Sequence, residues 1–306
     1  MAKIAFLFSG QGAQYSGMGK ELYDTSIEAK KLLASLEELR PGLLALCFSG
    51  SKEELQDTHN TQPAVYAIDL AAAAAVRALG IEPVAVAGFS LGELAALAFA
   101  GAYSAQTGLS IVQKRAELMA TAAKKVPGAM LAVLKLTNEQ VEALCQGQEL
   151  YPVNYNCPGQ LVVAGKEEKI SYLAEEVKKL GGRSIRLAVS GGFHSPMMDG
   201  AAVGLAEVLE SFTLLPLNIP VYANLTGEKY GTDLTNYLVK QTNHPVLWEK
   251  TVNELLALGI DCFIEVGPGK VLSGLVAKIA PQARVYKLEN SADLELIREE
   301  LLYVKK

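Results

Sequence analysis

Short apolar runs alternate with segments of helical periodicity towards both ends of the chain. The apolar runs are typical of buried strands, and they are 4-IAFLF-8, 84-VAVAG-88, 220-PVYANL-225 and 262-CFIEV-266. Apolar residues that recur every three or four positions predict helices over residues 63–79, 92–102, 105–123, 245–258 and 270–279. This alternation is typical of α/β proteins, so we expect a largely parallel sheet covered by helices.

The middle of the chain follows a different order of predicted elements. The pattern predicts a strand over 129–136, a helix over 137–147, strands over 151–155 and 160–165, a helix over 166–180 and a strand over 183–189. The order βαββαβ is that of a ferredoxin-like unit. We therefore predict a small ferredoxin-like domain over residues 124–190, inserted into a large α/β domain formed by residues 1–123 and 191–306.

A serine stands where a predicted strand meets a predicted helix, in 84-VAVAGFSLGELAAL-97. The spacing Gly88-x-Ser90-x-Gly92 permits a tight turn that exposes the serine hydroxyl, as in the nucleophile elbow of hydrolases. The N-terminus of the following helix favours negative charge that develops beside it. Ser90 is therefore the candidate nucleophile, and the alternative is that it only caps the helix.

A serine nucleophile needs a base, and the chain has three histidines. His194 follows a predicted strand and a glycine pair in 190-SGGFHSPMM-198, whereas His59 lies in a polar loop and His244 precedes a proline. Functional residues concentrate in loops that a rigid scaffold positions, so His194 ranks first as the base. His59 and His244 stay open as alternative candidates for the base. Either could instead be a surface or turn residue without a catalytic role.

An arginine interrupts the apolar stripe of the helix predicted over residues 105–123. The stripe consists of Ile111, Val112, Leu118 and Met119. Arg115 falls within it, although arginine is seldom buried without an anionic partner. A planar guanidinium matches a carboxylate, so two interpretations stay open: an internal salt bridge to an Asp or Glu, or a site for a substrate carboxylate.

Two glycine-rich turns lack a nucleotide-binding signature. In 9-SGQGAQYSGMG-19 the pattern G-x-G-x-x-G fails at Tyr15, and 265-EVGPGKVLSG-274 lacks both the first glycine and the Ser/Thr of a P-loop. Turns at the carboxyl ends of strands nevertheless line the active crevice of an α/β sheet. Gln11 is therefore a candidate hydrogen-bond donor in that crevice.

Composition and charge narrow the function classes. The 306 residues, 50% hydrophobic and 20% charged, can bury a full core. A net charge of −5 without a basic block disfavours a nucleic-acid partner. Four scattered cysteines without metal-ligand spacing indicate reduced, structural thiols and no metal site. Glycine and polar residues interrupt the longest charge-free run, residues 94–113, so we expect no membrane span and a cytoplasmic protein.

Taken together, these segments resemble the malonyl-CoA:acyl carrier protein transacylases and the related acyltransferase domains of polyketide synthases. The matching motifs are 5-AFLFSGQGAQYSGMG-19, 61-TQPAVYA-67, 88-GFSLGELAAL-97, 113-QKRAELM-119, 153-VNYNCPGQLVVAG-165, 191-GGFHSPMM-198, 241-QTNHPVLW-248 and 265-EVGPGKVL-272. Several motifs in the same order are far more specific than the serine turn alone. One position departs from the family, which usually has histidine where this chain has Phe89.

The resemblance implies a role for each matched residue. Ser90 would take a malonyl group from coenzyme A as an ester, with His194 as general base and then general acid. A backbone carbonyl near Gln241 would orient that histidine in place of a triad carboxylate. Arg115 would hold the malonyl carboxylate. The oxyanion hole would come from backbone N–H groups at two further positions, Gln11 and Leu91.

The implied reaction is a ping-pong transfer of malonyl from malonyl-CoA to the phosphopantetheine thiol of an acyl carrier protein, in fatty acid or polyketide synthesis. It needs no metal or redox cofactor, and the resemblance favours a monomer. Three alternatives stay open: a serine hydrolase or thioesterase of the α/β-hydrolase type, a trans-acting polyketide acyltransferase, and a non-catalytic module that docks carrier proteins.

Overall fold

The structure is a computed structural model that describes residues 2–189 and 191–302. Its strands are β1 (Ile4–Phe8), β2 (Ala85–Gly88), β3 (Ala129–Leu134), β4 (Leu150–Cys157), β5 (Gln160–Gly165), β6 (Arg183–Arg186), β7 (Val221–Tyr222), β8 (Cys262–Val266) and β9 (Arg284–Leu288). Its helices are α1 (Lys20–Thr25), α2 (Ile27–Leu39), α3 (Leu43–Ser49), α4 (Lys52–Gln56), α5 (Thr58–Ala78), α6 (Leu91–Phe99), α7 (Ala105–Lys125), α8 (Asn138–Cys145), α9 (Glu167–Lys179), α10 (Asp199–Leu209), α11 (Leu234–Gln241), α12 (Trp248–Ala257), α13 (Val271–Ile279) and α14 (Ser291–Leu302).

Five strands form a parallel sheet in the order β7-β2-β1-β8-β9. Successive residues of its strands point to opposite faces. Phe6 and Phe8 pack into the core beneath α2, α5 and α7, whereas Ala5 and Leu7 pack on the other face against α12 and α13. The prediction of a largely parallel sheet covered by helices is confirmed.

The remaining four strands form a separate antiparallel sheet in the order β4-β5-β3-β6. One face packs on α8 and α9, and the other packs against α7 and residues near 193–201. The chain order of these strands and helices is the predicted βαββαβ. The predicted boundary at residue 190 lies outside the described residues, as do residue 1 and residues 303–306 of the predicted large domain.

Several predicted bounds were wrong, each for a local reason. The strand expected over 220–225 covers only Val221–Tyr222, because the chain then turns and Gly227 N–H bonds to the Ala223 carbonyl. The helix expected from residue 63 begins at Thr58, because Asp57 caps it. The helices α1 to α4 were not predicted, although the buried residues Ala29, Leu33 and Leu36 of the 13-residue α2 follow a helical period. No helix in the described part of the chain is long and apolar enough to cross a membrane.

Candidate active site

The turn between β2 and α6 presents Ser90 in a conformation that few residues adopt. Its φ is 53° and its ψ is −102°, which stores backbone strain. A Cβ at Gly88 would lie 2.0 Å from the Gly92 carbonyl carbon, and a Cβ at Gly92 would lie 2.1 Å from the Phe8 oxygen. Both glycines are therefore required by close backbone packing. The Ser90 hydroxyl makes no capping bond to α6, so the capping alternative was wrong.

His194 contacts the serine directly. Its Nε2 lies 2.7 Å from Ser90 Oγ, and its Nδ1 lies 2.8 Å from the backbone oxygen of Gln241. A carbonyl only accepts, so Nδ1 carries the proton and Nε2 offers its lone pair to the hydroxyl. Burial and the nearby charge of Arg115 lower the pKa of His194 to about 4. The imidazole is therefore neutral at pH 7 and able to act as a base.

The other two histidines bond elsewhere. The His59 ring lies 2.9 Å from an Asp57 oxygen, and the His244 ring contacts the Lys240 carbonyl and the Asn243 side chain. Both side chains are exposed. The structure brings only His194 of the three to Ser90.

Arg115 of α7 is buried to 1% exposure beside Ser90. Its Nη1 donates to Gln62 Oε1 at 2.7 Å, and its Nη2 donates to Gln241 Oε1 at 3.0 Å and to Ser90 Oγ at 3.2 Å. Burial lowers its pKa to about 10, so it stays charged at pH 7. Among the described residues no carboxylate oxygen lies within 4.0 Å of it, so the internal salt bridge is not formed.

Gln241, at the end of α11, joins the three groups named so far. Its backbone oxygen accepts from His194, its Oε1 accepts from Arg115 and its Nε2 donates to the Ser90 carbonyl at 2.6 Å. The family resemblance implied only a backbone carbonyl near this position. Gln62 of α5 was missed as a partner of Arg115, although a buried glutamine on an apolar helix was a signal that could have found it.

A second set of buried groups bonds to the serine turn, and the sequence analysis did not predict it. Asn224 Oδ1 accepts from Ser90 N–H at 2.6 Å, and Asn224 Nδ2 donates to the Gly88 carbonyl at 2.6 Å. The Asn224 N–H donates to Glu93 at 2.7 Å, and Tyr230 donates its hydroxyl to the same carboxylate. Burial raises the pKa of Glu93 to about 7.

The two backbone N–H groups predicted to form an oxyanion hole belong to the segments that follow the paired strands β1 and β2. Leu91 is the first residue of α6, where N–H groups lack helical acceptors, and Gln11 lies in the turn after β1. Within residues 2–189 and 191–302, neither N–H bonds to a backbone carbonyl. Ser90's own N–H is occupied by Asn224.

A cavity of about 210 Å³ lies between the two sheets, beside the turns that follow β1 and β2. Gln11 and Phe89 line it from the parallel sheet, and Asn154 and Asn156 line it from the antiparallel one. The Phe89 ring packs edge-on against Trp248 at a centroid distance of 5.5 Å. Among the residues described, no group of three or more His, Cys, Asp or Glu side chains is arranged to hold a metal ion.

Comparison with known proteins identifies the family. Residues 5–292 match the family model for the acyl transferase domain. The chain belongs to this acyltransferase family. A malonyl CoA-acyl carrier protein transacylase of Bacillus subtilis (strain 168) is 39% identical to this acyltransferase over 305 residues, which cover 97% of this chain and 96% of the relative.

Solved structures agree with this assignment. The acyltransferase superimposes on the malonyl CoA-acyl carrier protein transacylase of Clostridium perfringens with a TM-score of 0.95, at 37% identity over 99% of this chain and 98% of the other. It also superimposes on a malonyl-transacylase solved with the holo acyl-carrier protein of a type II polyketide synthase, with a TM-score of 0.92 and 33% identity over 98% and 100% of the chains. The family resemblance drawn from the motifs is confirmed.

Proposed function

We propose that this acyltransferase moves a malonyl group from malonyl-CoA to the phosphopantetheine thiol of an acyl carrier protein, through an ester on Ser90. The observation that carries the proposal is Arg115. It is a buried cation, 3.2 Å from Ser90 Oγ, and no carboxylate oxygen of the described residues lies within 4.0 Å of it. A malonyl ester on Ser90 brings a free carboxylate to that region, and the names of the relatives support this substrate and partner.

The first half-reaction follows from the contacts of Ser90. Its Oγ attacks the thioester carbonyl as its proton passes to His194 Nε2. The oxyanion is stabilised by the N–H groups of Leu91 and Gln11. The carbon–sulfur bond then breaks, and the sulfur leaves as the thiol with the proton from His194. The second half-reaction repeats these steps with the carrier thiol as the nucleophile and Ser90 as the leaving group.

Selection of malonyl over acetyl follows from the same arginine. Acetyl lacks the carboxylate, so an acetyl group leaves the buried guanidinium with only neutral partners, Gln62 and Gln241. An unpaired buried charge is costly, and a site built for a polar group rejects analogues that lack it. We therefore expect Arg115→Ala to impair malonyl transfer far more than acetyl transfer.

The finer architectural assignments belong to the same proposal. The strand order β4-β5-β3-β6 supports a ferredoxin-like small domain over residues 124–190, and the strand–Ser90–helix junction supports a hydrolase-like large domain over residues 1–123 and 191–306. We further expect a monomer that works in the cytoplasm without a metal or redox cofactor.

Intact-protein mass spectrometry after mixing with malonyl-CoA tests the proposal. Wild-type protein should gain one malonyl mass and Ser90→Ala none, whereas Ser49→Ala, which replaces an exposed serine of α3, should behave as wild type. A malonyl adduct on Ser90→Ala would contradict the assignment. Free malonate released at the same rate with and without carrier protein would favour a hydrolase or thioesterase. Transfer to a panel of carrier proteins distinguishes fatty acid from polyketide synthesis.

A further inference from the structure

The Arg115 guanidinium and the neutral imidazole of His194 face the same hydroxyl in this site. Arg115 Nη2 lies 3.2 Å and His194 Nε2 lies 2.7 Å from Ser90 Oγ. The two nitrogens are therefore no more than about 6 Å apart, a distance at which two positive charges with little water between them repel strongly. Arg115 and His194 are 1% and 4% exposed, so solvent screens this repulsion weakly.

The reaction creates that second charge. When Ser90 Oγ forms its bond to the acyl carbon, its proton moves to His194, and the neutral imidazole becomes an imidazolium beside Arg115. We propose that the charge of Arg115 opposes this proton transfer until the carboxylate of the acyl group neutralises it, so that the enzyme selects malonyl by the rate of acylation as well as by binding. This inference rests on the proposed function.

The electrostatics of the free site agree with the geometry. Burial first, and the Arg115 charge second, lower the pKa of His194, whereas its bond to the Gln241 carbonyl raises it. A carboxylate placed against Arg115 removes the second of these causes. The pKa of His194 therefore rises when malonyl is bound, and the imidazole becomes a stronger base at the moment it is needed.

The other charged and titratable groups nearby do not neutralise the positive charge of Arg115. Glu93 of α6 and Tyr103, in the loop after α6, are the groups that act on it, and each raises its pKa. Burial holds the Glu93 pKa at about 7, so that carboxyl is only partly ionised at neutral pH. From the segment after α11, His244 offers its backbone to His194, while its ring is exposed and bonded to the Lys240 carbonyl.

The first test uses wild-type protein and compares malonyl-CoA with acetyl-CoA. The acylation step is followed by rapid quench and intact mass between about pH 3 and 8, a range that includes the pKa of free His194, with circular dichroism at each pH to confirm folding. The pH profile of kcat/KM reports the free enzyme, and that of kcat reports the acyl-CoA complex. For malonyl, the acidic limb of kcat should lie about one pH unit or more above that of kcat/KM, which corresponds to a tenfold change in proton affinity. For acetyl, the two limbs should coincide.

The second test changes the charge itself. Arg115→Met removes the charge and keeps much of the side-chain volume, and Arg115→Lys keeps the charge. At saturating acetyl-CoA, the methionine variant should acylate about tenfold faster than the lysine variant, because only the latter retains a cation beside His194. Glu93→Gln, measured in the same way, should keep the separation between the malonyl limbs, since Glu93 is not its cause.

The outcomes separate this inference from the proposed function. If wild-type protein forms no malonyl-Ser90, both are overturned. Two other results would refute the effect of Arg115 on proton transfer and leave the proposed function intact. In the first, malonyl-Ser90 forms but the limbs of kcat and kcat/KM coincide for malonyl. In the second, the methionine and lysine variants accept acetyl at equal saturated rates.

Discussion

Replacing Asn224 by alanine is expected to loosen the turn that holds Ser90, although Asn224 does not contact the reacting hydroxyl. The side chain is fully buried and bonds both ends of the turn, accepting from Ser90 N–H and donating to the Gly88 carbonyl, each at 2.6 Å. Ser90 has a φ of 53°, which backbone sterics disfavour. The two bonds therefore help to hold a conformation that the chain does not favour by itself.

The magnitude follows from the groups left unpaired. Removing a partner from a buried donor or acceptor costs about 1–3 kcal/mol, and Asn224→Ala leaves two such groups, Ser90 N–H and the Gly88 carbonyl, without their partner. Ser90 is only half-buried, so water can replace part of the loss there. We expect the free energy of unfolding to fall by about 2–4 kcal/mol. We also expect the acylation rate of the folded variant to fall by about tenfold or more, since a small misplacement of a nucleophile is costly.

Urea unfolding measures the first effect and rapid-quench acylation by malonyl-CoA measures the second. Asn218→Ala provides the matched control, because Asn218 is exposed and its stability change should stay within about 0.5 kcal/mol. Asn224→Asp keeps an acceptor for Ser90 N–H but turns a buried carboxylate oxygen towards the Gly88 carbonyl, close to Glu93, so it should destabilise the protein at least as much as alanine does. A loss of stability with an unchanged acylation rate would refute the claim that Asn224 positions the nucleophile.

Two further predictions concern neighbours of Ser90. Phe89 lines the cavity and packs on Trp248. Phe89→His should therefore admit and order water and speed hydrolysis of the isolated malonyl-enzyme, whereas Phe89→Leu should not. An unchanged rate of malonate release in the histidine variant would contradict this prediction. Burial raises the pKa of Glu93 from 4.5 to about 7, so the folded state binds its proton more tightly than the unfolded chain. As pH rises from 4.5 to about 7, the free energy of unfolding of the wild type should therefore fall by about 3 kcal/mol relative to that of Glu93→Gln. Parallel unfolding curves at pH 5 and 8 check this, and an opposite slope would contradict it.

The parts of the site that the sequence predicted are those with a local signature. Ser90 was found because a strand, two glycines and a helix follow one another without a gap, and the structure shows that backbone packing excludes any Cβ at either glycine. Arg115 was found because a charge interrupted an apolar stripe. Without the family resemblance, His194 was only the first of three histidines, since nothing local distinguishes a base 104 residues from its serine.

The parts that the sequence missed exist only through tertiary contact. Asn224 lies 134 residues from Ser90 in the chain, in a segment whose apolar residues predicted a strand. Its side chain meets the serine turn only because β7 pairs with β2 in parallel, which brings the carboxyl ends of both strands to one edge of the sheet. Gln62 likewise meets Arg115 only because α5 packs against α7. Pairing and packing of this kind depend on the whole fold, so a local stretch of sequence can mark such a residue as unusual but cannot identify its partner.

The absence of a carboxylate behind His194 has a physical explanation in the same contacts. Gln241 orients the histidine with its backbone oxygen and contacts Arg115 with its side chain, so His194 and Arg115 share one partner residue. A buried acid placed here, as in a Ser-His-Asp triad, would lie beside Arg115 and form an ion pair with it. That pair would occupy the guanidinium that we propose as the binding group for the malonyl carboxylate. A neutral carbonyl still fixes the proton on Nδ1, so it orients the base and leaves the arginine available to the substrate.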